Sequence, residues 1–195
     1  PNLMQQEALA SLTALRNNHK NKALLISATG TGKTYLSAFD VKNIDPKRIL
    51  FVVHRENIAR DAMNTFKNII KNHTFGIFTG SDKDINSDYI FSTVQTIHKK
   101  KYREMFKPDT FDYIIIDEVH RAGADSYQKL MNYFTPNFLL GMSATPERSD
   151  NFDIYKMFDY NIAYEIRLQQ AMEYNLLCPF HYYGISDFIV DGKTI

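Results

Sequence analysis

The segment from Ser27 to Thr34 has the residue types that bind phosphate. It reads Ser-Ala-Thr-Gly-Thr-Gly-Lys-Thr, follows an apolar run that predicts a strand, and precedes a predicted helix. Gly32 would let the backbone approach an anion, because a Cβ atom there would collide with it, and a helix N-terminus attracts negative charge. Lys33 would then reach the β- and γ-phosphates of a nucleotide, and the Thr34 hydroxyl would bind Mg²⁺.

The match to the phosphate-binding pattern is incomplete at its first position. The strict pattern has a glycine five residues before the Gly-Lys pair, where this chain has Ser27. A plain strand-to-helix turn with an exposed Lys33 is therefore the alternative. The flanking strand and helix favour the phosphate site.

Two carboxylates follow the most apolar run of the chain. Residues 113–116 read Tyr-Ile-Ile-Ile, and Asp117, Glu118, Val119 and His120 come next. A strand that is apolar at every position is typical of a parallel sheet covered on both faces, and ligands bind at the carboxyl edge of such sheets. Asp117 would hold Mg²⁺, and Glu118 would orient and deprotonate a water molecule. The alternative is that Asp117 caps a helix and Glu118 is solvated.

A third motif ends the strand predicted at Phe138–Ser143. Ser143 and Thr145 are suited to hydrogen bonds with Asp117, His120 or a neighbouring backbone group, through which they would report the state of a phosphate site. Serine and threonine at strand ends more often simply form turns. Alone, this motif indicates little.

Apolar runs alternate with amphipathic segments along the chain, which predicts an α/β fold with a mostly parallel sheet and helices on both faces. Strands are predicted at Ala23–Ala28, Arg48–His54, Thr74–Phe78, Tyr89–Thr93, Asp112–Asp117 and Phe138–Ser143. Helices are predicted at Leu3–Leu15, Lys33–Val41, Arg55–Ile70, Val94–Lys101, Ser126–Phe134 and Leu168–Tyr174.

Composition excludes several classes of protein. The 195 residues include 23 Lys plus Arg and 22 Asp plus Glu, a balance that excludes a polybasic nucleic-acid coat and an acidic tail. A hydrophobic content of 44% excludes a mainly disordered chain. Cys178 is the sole cysteine, so a disulfide framework is excluded and a reducing, cytoplasmic location is expected. No apolar run reaches the ~20 residues of a membrane helix, so no membrane partner is expected.

In this order, the three motifs resemble those of the first RecA-like domain of superfamily two helicases and translocases, a P-loop fold. Residues 28–34 are similar to that family's motif I, in which the early glycine is often replaced. Residues 117–120 resemble motif II in its DEAH-like form, and residues 143–145 resemble motif III. The resemblance runs from Gln5 to about Arg167 and favours bacterial restriction-type DNA helicases, such as the helicase subunits of type III restriction enzymes.

The resemblance implies that ATP and Mg²⁺ are the cofactors. It makes Lys33, Asp117 and Glu118 catalytic, with Thr34 and Asp117 at the metal. Nucleotide binding would use Gln5, which would read the adenine edge, together with Thr29, Gly30, Thr31, Gly32, Lys33 and Thr34. Gln6 is an alternative to Gln5, and an ordinary amphipathic helix is an alternative to both. Coupling to the rest of the motor would use His120, Ser143 and Thr145.

The resemblance also places nucleic-acid contacts in the loops after the second, third and fourth strands. The residues are His54, Arg55, Thr79, Gly80, Thr93 and Gln95. They would touch the sugar-phosphate backbone without reading sequence. Arg55 as an ordinary surface charge is the alternative. The basic cluster His98–Arg103 either extends this track or forms a solvated helix face.

Residues 1–177 would form this domain, and residues 178–195 would lead into a second RecA-like domain of the same parent chain. The chain begins with Pro1, so a piece of a longer protein is expected, with poor activity alone because arginines of the second domain complete such sites. The role of Arg148 stays open. DNA is the favoured partner of the motor; an RNA remodelling helicase and a nucleotide-dependent binding module without turnover are the alternatives.

Overall fold

The computed structural model describes residues 1–28, 30–121, 125–144, 153–166, 189–190 and 193–194. The strands are β1 (Lys22–Ser27), β2 (Ile49–Val53), β3 (Phe75–Phe78), β4 (Tyr89–Thr93), β5 (Tyr113–Ile116), β6 (Phe138–Ser143), β7 (Ile162–Ile166) and a short antiparallel pair, β8 (Ile189–Val190) and β9 (Lys193–Thr194). The helices are α1 (Leu3–Asn17), α2 (Lys33–Ile44), α3 (Glu56–Ile69), α4 (Val94–Ile97), α5 (Lys100–Arg103), α6 (Asp125–Tyr133) and α7 (Ile154–Met157), with a 3₁₀ turn at Val119–Arg121.

Strands β1 to β7 form one sheet in the order β3-β4-β2-β5-β6-β1-β7, and every neighbouring pair is parallel. All seven carboxyl ends therefore lie at one edge. Strand β6 separates β1 from β5, so the loop after β1 and the residues after β5 face a shared crevice at that edge. The predicted α/β fold with a parallel sheet is confirmed.

Each face of the sheet has its own hydrophobic core, and the strands alternate between them. In β5, Tyr113 and Ile115 join the core that includes residues of α1, α2 and α3, whereas Ile114 and Ile116 join the core that includes residues of α4, α6 and α7. All four side chains are buried. The uninterrupted apolar run of β5 therefore follows from burial on both faces. None of the described helices is long and apolar enough to span a membrane.

The structure departs from the sequence-based prediction at several places; among them, the short elements α7, β8 and β9 were not predicted. The helix predicted at Val94–Lys101 is wrong: it splits into α4 and α5, because Lys99 has extended backbone (ψ 129°) and the buried apolar positions stop at Ile97. Strand β7 was not predicted, since Ala163 and Ile166 are the buried residues among its five. The helix predicted at Leu168–Tyr174 lies outside the described residues.

Gly141 in β6 is required by close packing. A Cβ atom at this position would overlap the ring of Phe158, a fully buried side chain in one of the two cores. We expect Gly141→Ala to lower the free energy of unfolding by about 1–3 kcal/mol, the usual cost of overpacking. Chemical denaturation of the two proteins measures this difference in the free energy of unfolding. Gly80→Ala is the matched control, because open space surrounds a Cβ atom there; equal stabilities of the two variants would contradict this packing.

Candidate active site

A cavity of about 400 Å³ lies at the carboxyl edge of the sheet. Six predicted site residues line it: Gly30, Gly32, Lys33, Thr34, Asp117 and Glu118. Sequence reasoning missed its other lining residues, Tyr35, Ile58, Thr65 and Ala144. Ile58 and Thr65 are seven residues apart on α3 and so share a helix face. The sequence shows this spacing, but the spacing alone does not indicate that the two residues line a cavity.

The phosphate loop is held by hydroxyl groups as well as by its glycines. Gly30 and Gly32 have φ angles of 86° and 85°, a left-handed conformation that favours glycine. The Thr31 hydroxyl donates to the carbonyl oxygen of Ala28 at 2.7 Å and lies 2.6 Å from the Ser27 hydroxyl. Ser27 therefore stabilises the phosphate loop through its hydrogen bond with Thr31, although it departs from the strict phosphate-binding pattern. The predicted contact Thr29 lies outside the described residues.

Lys33 points back into the loop from the start of α2. Its Nζ donates to the carbonyl oxygens of Ser27 at 2.8 Å and Ala28 at 3.1 Å. Burial lowers the pKa of Lys33, and the nearby charges of Asp117 and Glu118 act in the opposite direction. The phosphate loop thus carries a partly desolvated cation next to two carboxylates, where a phosphate oxygen would compete for its hydrogen bonds.

Asp117 and Glu118 are fixed by backbone hydrogen bonds at the end of β5. The Asp117 N–H donates to the carbonyl oxygen of Val52 in β2 at 2.9 Å, and Asp117 Oδ1 accepts from the Glu118 N–H at 2.9 Å. Glu118 has a φ of 52°, an uncommon conformation for a residue other than glycine. This strained turn places both carboxylates at one cavity.

Burial raises the pKa of Asp117; the hydrogen bond from the Glu118 N–H and the charge of Lys33 lower it, and the charge of Glu118 adds to the rise. A carboxyl group whose pKa rises on folding contributes stability below its unfolded pKa, and that contribution is lost as the pH rises through the folded pKa. The ionised carboxylate therefore destabilises the protein near neutral pH when no cation is bound.

We expect Asp117→Asn to raise the melting temperature at neutral pH in the absence of nucleotide and divalent cations, because the amide avoids the buried charge. The difference should shrink as the pH falls and vanish below about pH 3, where the carboxyl group is protonated in both states. Differential scanning calorimetry at several pH values measures it. The exposed Asp109→Asn is the matched control; a lower melting temperature for Asp117→Asn than for this control would contradict the expectation.

Gln5, and not Gln6, reaches the phosphate loop. Asn2 and Gln5 form a capping box at the start of α1, and Gln5 Nε2 lies 3.5 Å from the carbonyl oxygen of Gly32, at the long limit of a hydrogen bond. Gln6 is exposed and donates to the carbonyl oxygen of Pro1. The structure therefore favours Gln5 between the two alternatives, and its contact with adenine stays a prediction.

His120 connects two of the predicted motifs. Its Nδ1 lies 3.1 Å from the Ser143 hydroxyl at the end of β6, and its Nε2 lies 3.8 Å from Glu118 Oε2. One imidazole therefore touches both a predicted catalytic carboxylate and the next strand. Thr145, the third predicted coupling residue, and Arg148 lie outside the described residues.

The residues predicted to contact nucleic acid surround the same edge further out, and they differ in exposure. His54 Nδ1 and Gln95 Nε2 are 2.9 Å apart, so two loops meet there, and Arg55 is exposed before α3. Thr79 is fully buried, and its N–H donates to the carbonyl oxygen of Asp82. Thr93 is buried with its hydroxyl 3.0 Å from that of Thr96, whereas Gly80 is exposed.

A second, larger cavity of about 590 Å³ lies at the amino edge of the sheet, beside Tyr113 and Phe138 at the starts of β5 and β6. None of the predicted site residues lines it. The predicted phosphate-binding residues that line a cavity therefore lie at the carboxyl edge of the sheet, and the larger cavity lies at the amino edge.

A family model described as "Type III restriction enzyme, res subunit" matches residues 1–148, which include the phosphate loop, the Asp117–Glu118 pair and Ser143. The chain belongs to this family. Its membership confirms the predicted assignment to the first RecA-like domain of restriction-type superfamily two helicases.

Individual relatives of this chain support its assignment to the family. The "Type I restriction enzyme EcoAI endonuclease subunit" of Escherichia coli is 30% identical over 200 residues, which cover 92% of this chain and 23% of that protein. A Saccharomyces cerevisiae protein whose name describes an ATP-dependent helicase is 28% identical, over 93% of this chain and 28% of its own. The chain thus spans about a quarter of the length of these relatives.

Among solved structures, the "ATP-dependent Type ISP restriction-modification enzyme LlaBIII bound to DNA" superposes with a TM-score of 0.70 and 19% identity, covering 90% of this chain and 15% of that one. A likeness at this identity shows the fold alone. The RecA-like α/β fold predicted from the sequence is confirmed.

Proposed function

We propose that the chain is the ATP-binding motor domain of a DNA helicase or translocase that couples ATP hydrolysis to movement on nucleic acid. One observation carries the proposal: Lys33 and the Asp117–Glu118 pair line a single cavity at the carboxyl edge of a parallel sheet. The names of relatives described as ATP-dependent helicases and restriction enzymes support it.

The residues at the cavity fit Mg²⁺ bound together with a nucleotide. Within the described ranges, no group of three His, Cys, Asp or Glu side chains forms a metal site of its own. The Thr34 hydroxyl and the Asp117 carboxylate line the cavity, and Mg²⁺ is typically held by one or two carboxylates plus substrate phosphates and water. The raised pKa of Asp117 indicates a carboxylate that a divalent cation would stabilise.

Each residue has a distinct task in hydrolysis. Lys33 would bind the β- and γ-phosphates, and Gly32 would keep the backbone close to them. Glu118 would orient the attacking water and accept its proton. Mg²⁺ held by Thr34 and Asp117 would supply charge neutralisation for the phosphates. His120, 3.8 Å from Glu118 and 3.1 Å from Ser143, would transmit the state of this site to β6.

Helix α3 supplies a physical connection between the cavity and the nucleic-acid loops. Ile58 and Thr65 of α3 line the nucleotide cavity, and Arg55 stands directly before its first residue. A rigid helix that shifts when the cavity fills would move Arg55 by a similar amount. A motor requires such a motion to change its contacts with the nucleic-acid backbone.

The proposed motor includes a second RecA-like domain of the same parent chain, whose arginines would stabilise the transferred phosphate. The relatives are about four times as long as this chain, which supports the presence of further domains. In related phosphoryl-transfer enzymes such an arginine increases the rate by about 10³-fold or more.

The test measures ATP hydrolysis by the intact protein with no nucleic acid, with single-stranded DNA, with duplex DNA and with RNA. We expect DNA to stimulate turnover. Stimulation by RNA alone would favour the RNA remodelling alternative. Nucleotide binding without turnover under every condition would favour the binding module and overturn the proposal.

A further inference from the structure

Two lysines from separate segments lie over the ring of Tyr102, and a third lysine, Lys99, is close to it in sequence. Lys83 comes from the connection between β3 and β4, whereas Lys99 and Lys101 flank the start of α5. The Nζ atoms of Lys83 and Lys101 lie 4.9 Å and 4.5 Å from the centre of the Tyr102 ring. We call Lys83, Lys99, Lys101 and Tyr102 the Tyr102 cluster.

The lysines of the Tyr102 cluster form no ion pair with a described carboxylate. In the part of the chain that the structure describes, Lys83, Lys99 and Lys101 have no carboxylate within ion-pair distance; the ion pair in this stretch joins Lys100 and Glu104 at 3.9 Å. The hydrogen bond with Lys101 and its charge lower the pKa of Tyr102, and the charges of Lys83 and Lys99 add to the effect. Like charges gathered on one ring repel one another, and an anion relieves that repulsion.

The cluster adjoins the loops already predicted to contact nucleic acid. Lys83 Nζ donates to the carbonyl oxygen of Gly80 at 3.0 Å and to that of Thr79. On the other side, α4 carries Gln95 and ends two residues before Lys99. The cluster and these loops therefore form one continuous surface at the carboxyl ends of β3 and β4.

The sequence left two interpretations of the basic segment His98–Arg103: a backbone-binding track or a solvated helix face. The structure favours the first. Helix α5 has only four residues, so it offers no extended helix face. Lys83, which is distant in sequence, joins the cluster through tertiary packing. The ring of Phe78 packs edge-to-face against Tyr102, with ring centres 6.0 Å apart.

We propose that Lys83 and Lys101, which lie over the Tyr102 ring, and the neighbouring Lys99 bind successive phosphates of a nucleic-acid backbone and extend the track that begins at Thr79 and Gly80. This inference rests on the proposed function. Ammonium groups spaced along one surface suit a repeating polyanion better than one small anion. The contacts would position the backbone without reading its sequence.

The test measures the affinity of the intact protein for duplex DNA at a series of salt concentrations. For Lys99→Gln/Lys101→Gln we expect the slope of log K against log salt to fall in magnitude by about 2, because each phosphate contact contributes about 0.9. Adding Lys83→Gln should lower it by about one more. The charge-preserving Lys99→Arg/Lys101→Arg variant should keep the original slope.

The matched control is Lys20→Gln/Lys47→Gln, which removes the same charge from two exposed lysines at the amino edge of the sheet. It should leave the slope unchanged. An unchanged slope for Lys99→Gln/Lys101→Gln, with DNA-stimulated hydrolysis intact, would overturn this inference and leave the proposed function standing. Failure of the wild-type protein to bind any DNA would overturn both.

Discussion

Replacing Glu118 with glutamine is expected to lower the rate constant of ATP hydrolysis by about 10²–10⁴-fold, the usual contribution of a general base. The amide has nearly the same shape but cannot accept the proton of the attacking water. Its backbone N–H still donates to Asp117 Oδ1, so the turn with a φ of 52° is preserved. ATP affinity should change little, because Glu118 acts on the water and not on the phosphates.

Single-turnover hydrolysis by the intact protein, measured alongside ATP binding, separates these two quantities. Glu104→Gln is the matched control, since Glu104 is an exposed glutamate of the described chain outside the cavity, and it should hydrolyse ATP at the wild-type rate without nucleic acid. Equal turnover by Glu118→Gln and the wild-type protein would remove Glu118 from the role of base.

Replacing Lys33 with methionine is expected to weaken ATP·Mg²⁺ binding by about 10- to 150-fold. The ammonium group is the cation of the phosphate loop, and a hydrogen bond to a charged group contributes about 1.5–3 kcal/mol. The change also removes the cation next to Asp117 and Glu118, so the pKa of Asp117 should rise further. The affinity for the nucleotide should therefore fall because the phosphates lose their ammonium partner.

Titration with a fluorescent ATP analogue, with and without Mg²⁺, measures this loss. Lys42→Met is the matched control, because it removes an exposed lysine from the last turn of the same helix, α2. Its affinity should equal that of the wild-type protein. If Lys33→Met also kept wild-type affinity, the phosphate loop would not be the nucleotide site.

The fold was predictable where burial imposes a simple pattern. Strands such as β5 are apolar at every position because both faces are covered, and the sequence shows this directly. Strand β7 was not predictable: its burial alternates irregularly, and its position beside β1 depends on pairing that no local pattern encodes. The break between α4 and α5 was missed because lysines, which suit a helix, follow Ile97 in sequence.

The candidate site was predictable in its residue types but not in its supporting contacts. Lys33 and the Asp117–Glu118 pair could be identified, because a phosphate site requires those groups at the ends of strands. The hydrogen bond between Ser27 and Thr31 could not be identified, because the sequence shows that a serine replaces the usual glycine but not what its hydroxyl group contacts. The approach of Lys83 to Tyr102 could not be identified either, because it joins segments about twenty residues apart.

The central claim is that the loop from Gly30 to Thr34 and the Asp117–Glu118 pair hold ATP·Mg²⁺, and a crystal structure of the Glu118→Gln protein with ATP and Mg²⁺ tests it most directly. We expect the triphosphate along the loop, with Lys33 Nζ on the γ-phosphate and the metal ion between the Thr34 hydroxyl and Asp117. A nucleotide in the amino-edge cavity, with Lys33 still bonded only to the carbonyl oxygens of Ser27 and Ala28, would contradict that claim.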